Sequence, residues 1–261
     1  AATGLAGLVR LLSAESRVWM LCKGINTSKQ CELAKLAVEM VADPPGVVNA
    51  VLSAPQRPGG ADLLERALQF CVRIHGLVKM PAEFANQVAS AATVAISAAP
   101  EVGPLKQANV LRLAEAVQVL PQLASPLQAT AFAQFQLVIV PRVALAAKAL
   151  SSPTLTLRLW GIKDCVKLIE KASSLPAHRS MGVVAAVEQL TDAFISQQLP
   201  QLLLGDLAHE EVLQRATAIF VALLQAGQLH QPTLTLIWSA CSIKSATVAS
   251  VASSLLSELL R

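Results

Sequence analysis

The tetrad TLTL occurs twice, at Thr154–Leu157 in SPTLTLRLWGI and at Thr233–Leu236 in QPTLTLIWSAC, and the copies lie 79 residues apart. A second tetrad, LPQL, occurs at Leu120–Leu123 and Leu199–Leu202 with the same offset of 79. Two separate matches at one spacing mark a degenerate internal repeat, although the adjoining Trp160 and Trp238 are 78 apart. A repeat constrains the fold strongly, because each unit must bury its apolar face against its neighbours. Apolar residues recur every three or four positions almost throughout, and sustained period-two alternation is nearly absent, so the units are expected to be helical. A period of 79 holds roughly four helices, or two helical hairpins of about 40 residues each. The expected fold is all-α: an α-solenoid, a right-handed superhelix of stacked hairpins, forming a single repeat domain over residues 1–261.

Helix breaks are expected where Pro and Gly cluster: Asp43–Gly46, Ala54–Gly60, Pro81, Ala99–Pro104, Pro126, Pro153, Pro176 and Pro232. Thr27 with Gln30, and Asp62 with Glu65, have the spacing of a reciprocal N-terminal cap, which marks two helix starts. The chain begins at Ala1 instead of Met, so it is expected either to have lost an N-terminal segment or to belong to a longer chain. Its five cysteines, Cys22, Cys31, Cys71, Cys165 and Cys241, are odd in number and widely scattered. That is no disulfide framework, and a reducing compartment is expected.

Charged residues make up only 15% of the chain, against about 25% in an ordinary soluble domain, while hydrophobic residues make up 54%. A surface so short of charge suits a subunit embedded among protein partners. The segment Gln128–Leu150 is long enough to span a bilayer, which takes about 20 residues. Arg142 near its centre, beside the helix-bending Pro141, and the lack of flanking aromatic residues argue instead for a buried helix that does not span a membrane.

The segments Thr154–Ile162 and Thr233–Ile243 resemble the leucine-then-tryptophan helix of octotricopeptide and heptatricopeptide repeats, the organellar helical repeats often found with RAP domains. Leu155 to Trp160 with Gly161 fits that pattern, Leu234, Trp238, Ser239 and Ala240 fit it with one residue missing, and Ile25–Ala37 is a third copy without Trp. The resemblance covers at most half of the chain, and no RAP module is recognisable at the C-terminus. It implies RNA binding in an organelle, or a place in a mitochondrial ribosome or similar assembly; plastid and cytoplasm are the alternatives.

Charge supplies an independent criterion. Between Arg142 and Arg179 stand Arg142, Lys148, Arg158, Lys163, Lys167, Lys171 and Arg179, opposed by Asp164 and Glu170, a net +5. Residues 1–35 carry +3 and Ser180–Arg261 carries −3. On the helix expected from Thr154, the residues Leu155, Leu159, Ile162, Val166 and Ile169 form an apolar stripe, beside which Lys163, Lys167 and Lys171 recur every four residues. Such a ridge could neutralise phosphates; a solvated helix face has the same pattern. Aromatic residues are 3% of the chain and Tyr is absent, so contacts to the backbone of a folded rRNA are expected in place of base stacking. Trp160 lies on the lysine side and is the one candidate to stack on a base, or else to pack on the next helix.

No catalytic constellation emerges. His209 opens HEEVL, but a zinc-protease helix needs a second histidine where Leu213 stands. Cys71 and His75 have half the spacing of a metal site and no second pair. RPGGAD lacks the lysine of a phosphate loop and reads as a turn. The expectation is a non-catalytic protein with no cofactor, metal or small-molecule substrate, sitting among protein subunits and structured RNA. The alternative is a HEAT- or armadillo-like scaffold with protein partners only, including an accessory subunit of a mitochondrial membrane complex. The two separate on one criterion: the lysines lining a surface with Arg142, Lys148 or Arg158 favour RNA, whereas cations paired with acids or scattered favour the scaffold.

Overall fold

The structure, a computed structural model, describes residues 68–69, 71–72, 83–98, 107–123, 130–175, 180–243 and 245–260. Among these residues the fold is all-α, with no strand. The helices are α1 (Phe84–Ala98), α2 (Gln107–Val117), α3 (Ala131–Leu150), α4 (Leu155–Ser173), α5 (Ser180–Ser196), α6 (Leu199–Leu204), α7 (Glu210–Gln225), α8 (Gln231–Ile243) and α9 (Ala246–Leu259), with a 3-10 turn at Leu120–Leu123. The caps expected at Thr27 and Asp62, the Trp-less repeat copy, the basic segment 1–35 and the Gly-rich turn lie outside the described residues.

Local chemistry sets the helix ends. Pro153 falls in the link between α3 and α4, and Thr154, with extended backbone, is the N-cap of α4. His209 caps α7, its Nδ1 accepting from the Glu211 N–H at 3.3 Å, and Glu210 and Glu211 place negative charge in the first turn. At the other end of α7, Gly227 has φ +68°. Its N–H donates to the Leu224 carbonyl and that of Gln228 to the Leu223 carbonyl, the paired bonds of a Schellman turn. Gln198, between α5 and α6, holds φ 55° without being glycine. Pro141 does not end α3, which runs on to Leu150.

The described residues divide into two compact units at Pro141/Arg142, within α3. In the first, α1 packs on the 3-10 turn, and Val88, Ile96, Val117, Leu120 and Leu123 are buried. In the second, packing partners fall into two rows: α4 on α7 and α7 on α9, then α5 on α6 and α6 on α8. The rows are joined by α4 on α5, α6 on α7 and α8 on α9. Ile162, Phe194, Leu203, Ile219, Phe220, Ile237 and Leu255 are buried in this unit.

The 79-residue echo is repeated by helix borders. Val117 and Ser196 each end a helix, Leu120 and Leu199 each open the LPQL turn, and Ala131 and Glu210 each begin the next helix, all at that offset. Thus α2, the 3-10 turn, α3 and α4 recur in order as α5, α6, α7 and α8. The second copy holds four helices, as the sequence suggested, and in the first copy a 3-10 turn takes the place of α6. Burial repeats as well: Arg158 and Gly161 are buried in α4, and their counterparts Ile237 and Ala240 are buried in α8. The two Trp residues are not counterparts. Trp238 answers to Leu159, and the offset of 78 turns it about 100° from the place of Trp160.

Candidate nucleic-acid interface

The expected apolar stripe of α4 is rotated. Leu155, Leu159, Val166 and Ile169 are only half-buried, and of that stripe Ile162 alone is fully buried. The face turned inward carries Leu157, Arg158, Gly161, Cys165, Leu168 and Ala172, about 100° away by helical phase. Gly161 explains part of the shift. A Cβ there would lie 2.8 Å from the Ala146 carbonyl oxygen and 3.2 Å from both Ala149 Cβ and Leu150 Cγ, so α3 and α4 approach at a spot that admits hydrogen alone.

Two of the expected phosphate-binding residues are turned into this packing. Arg142 on α3 is buried and grips Asp164 on α4 with both ends of its fork: Nε donates to Oδ2 at 2.9 Å, and a terminal nitrogen donates to Oδ1. The bidentate geometry is the strong form of this pair. Arg158 is also buried and donates from a terminal nitrogen to the Leu207 carbonyl, tying α4 to the loop before α7. Its Nε has no hydrogen-bond partner among the described residues. Next to Asp164, burial pushes the Cys165 thiol well up; the Asp164 charge adds to the rise and the Arg142 charge opposes it. Cys165 is therefore held as an unreactive thiol.

The remaining candidates divide differently. Lys163, Lys167 and Lys171 are exposed on successive turns of α4, with Glu170 exposed among them, and Trp160 is half-buried at the edge of that face. Lys148 is half-buried near the end of α3. Arg179 lies outside the described residues, as does His75. The structure therefore keeps the three lysines together on one helix face, while Arg142 and Arg158 point elsewhere.

Other features of the chain have local roles. His209 is the cap of α7. Cys71 and Cys165 are buried and Cys241 is half-buried. An open groove of about 260 Å³ in the first unit has Asn86, Ser90, Thr93, Val94, Gln136 and Pro141 in its lining. The helix α3 is long and apolar enough to cross a membrane, and most of it is buried inside the protein.

Inspection of the sequence missed the exposed apolar pair on α8. Leu234 is 38% and Trp238 65% exposed. Both belong to the repeat motif, and their four-residue spacing was the available signal that they share a face. No family model, curated protein or solved structure matches the chain.

Proposed function

We propose that this chain is a non-catalytic helical-repeat scaffold that joins protein neighbours within a larger assembly. The observation that carries the reading is the 79-residue recurrence of helix borders, together with the two-row packing of the second unit. Stacked rows of this kind build α-solenoids, in which each added unit extends a surface for partners. The surroundings of Arg142 and Arg158 weigh on the same side, since these two of the basic segment's three arginines serve internal bonds. Low overall charge suits a chain that buries much of its surface in neighbours.

A second reading has one observation in its favour. The exposed row Lys163, Lys167 and Lys171 has the spacing to follow a phosphate backbone, as in a component of a mitochondrial ribosome. Titration of a labelled RNA hairpin with the purified chain at increasing salt separates the two. If the lysines bind phosphates, the logarithm of affinity falls against that of salt with a slope between about −2 and −3, and Lys→Gln changes at all three positions abolish it. The scaffold reading expects only weak binding that the triple variant leaves unchanged.

A further inference from the structure

We propose that the outward faces of α4 and α5 are the two halves of one contact between copies of this chain, Lys163 and Lys167 of one copy seated on Glu188 and Asp192 of the next. The inference rests on the scaffold reading and names one of the neighbours as the chain itself. Lys163 and Lys167 are exposed one turn apart on α4, and Glu188 and Asp192 are exposed one turn apart on α5. Both pairs therefore have the same pitch of about 6 Å along their helices. By helical phase each pair lies on the far side of its helix from the buried residues, Leu157, Gly161 and Cys165 in α4 and Ala186, Leu190 and Phe194 in α5. Among the described residues Lys163, Lys167 and Glu188 have no ion-pair partner. Asp192 Oδ1 accepts from the side-chain amide of Gln228.

An apolar residue precedes each pair by one turn: the half-buried Trp160 before Lys163, and Val184, 57% exposed, before Glu188. Laid side by side in the same direction, the two helices would set Trp160 on Val184, Lys163 on Glu188 and Lys167 on Asp192. Glu170, the exposed acid of α4, falls past the last matched pair. The sign of both faces selects a second copy as the occupant. The two helices stand in different rows, and the sequence carries +5 over Arg142–Arg179 and −3 over Ser180–Arg261. A phosphate backbone would answer the lysines and leave the acids of α5 unanswered, whereas a second copy answers both faces with residues that this chain itself carries. Because each copy contributes a different face, the growing assembly keeps a free α4 face at one end and a free α5 face at the other, so growth runs past the dimer. Exposed ion pairs are individually weak, so the assembly forms at high chain concentration and low salt.

The test is sedimentation velocity of the purified 261-residue chain over a range of concentrations. Species heavier than a dimer are expected to grow with concentration. Raising salt from about 0.1 to about 1 M shortens the screening length from about 10 to about 3 Å and should weaken association at least about tenfold. Lys163→Glu with Lys167→Glu, and separately Glu188→Lys with Asp192→Lys, should each give a monomer. Mixed in equal amounts, these two variants should associate again, because each offers the charge that the other's faces lack. All four positions are exposed, and unaltered thermal melts would show that the fold is intact. Lys163→Gln with Lys167→Gln is the milder variant and should weaken association several-fold. A monomer at every concentration and salt overturns the contact, as does association that the charge reversals leave unchanged or that the mixture fails to restore. So does a monomeric chain whose lysines bind the RNA hairpin, which assigns the row to phosphates. If the chain is monomeric while the native assembly withstands ribonuclease, this contact falls and the scaffold reading stands.

Discussion

Gly161 marks where α3 and α4 come closest, and a methyl group there would meet the Ala146 carbonyl oxygen at 2.8 Å. Gly161→Ala should therefore lower unfolding free energy by about 1–3 kcal/mol in a denaturant titration, despite the better helix propensity of alanine. The Arg142–Asp164 pair allows a sharper test. Asp164→Ala strands a buried guanidinium and should cost about 3–5 kcal/mol, whereas replacing both partners by leucine should cost less than the two single changes summed. At Cys165 the folded state holds the thiol proton well above the usual 9.0. Once pH passes about 9, unfolded chains lose that proton and folded ones keep it, so the linkage favours unfolding. Stability should decline as pH rises above that value, and Cys165→Ala should remove this part of the decline. None of these roles was legible in the sequence. Spacing placed Arg142 and Arg158 in a basic window, but charge in a sequence carries no direction, and Asp164, 22 residues from Arg142, entered the count only as an opposing acid.

Between residue and fold, the helices were legible where backbone chemistry marks their ends. Pro153 and Pro232 fall at helix starts as read, and the LPQL echo forms a short helical turn at both copies. Gly205 and Gly227, which follow α6 and α7, were passed over because no proline accompanies them. The inward face of α4 was misjudged for a packing reason. Counting large aliphatic residues picks Leu155, Leu159 and Ile169, yet close helix approach selects small ones, and Gly161, Cys165 and Ala172 sit on the covered side. At the join of α5 and α6, Gln198 holds a left-handed backbone that β-carbon sterics disfavour. Gln198→Gly should raise the melting temperature, worth up to about 1 kcal/mol, because the strain relieved exceeds the added freedom of the unfolded chain.

At the level of the whole molecule, an internal repeat of 79 residues was visible from two tetrads and recurs as an order of helices with matching borders. The partner was not legible, because a lysine row and an apolar strip occur in the same unit and suit different partners. The scaffold proposal gives weight to the recurrence of the helices and to the arginines turned inward. Its most direct test is to isolate the native assembly, treat half of it with ribonuclease, and compare the sedimentation of this chain in the two halves. The scaffold account expects the chain to stay in the same large particle after RNA is digested. Release of the chain by ribonuclease would contradict that account and return the lysine row of α4 to first place.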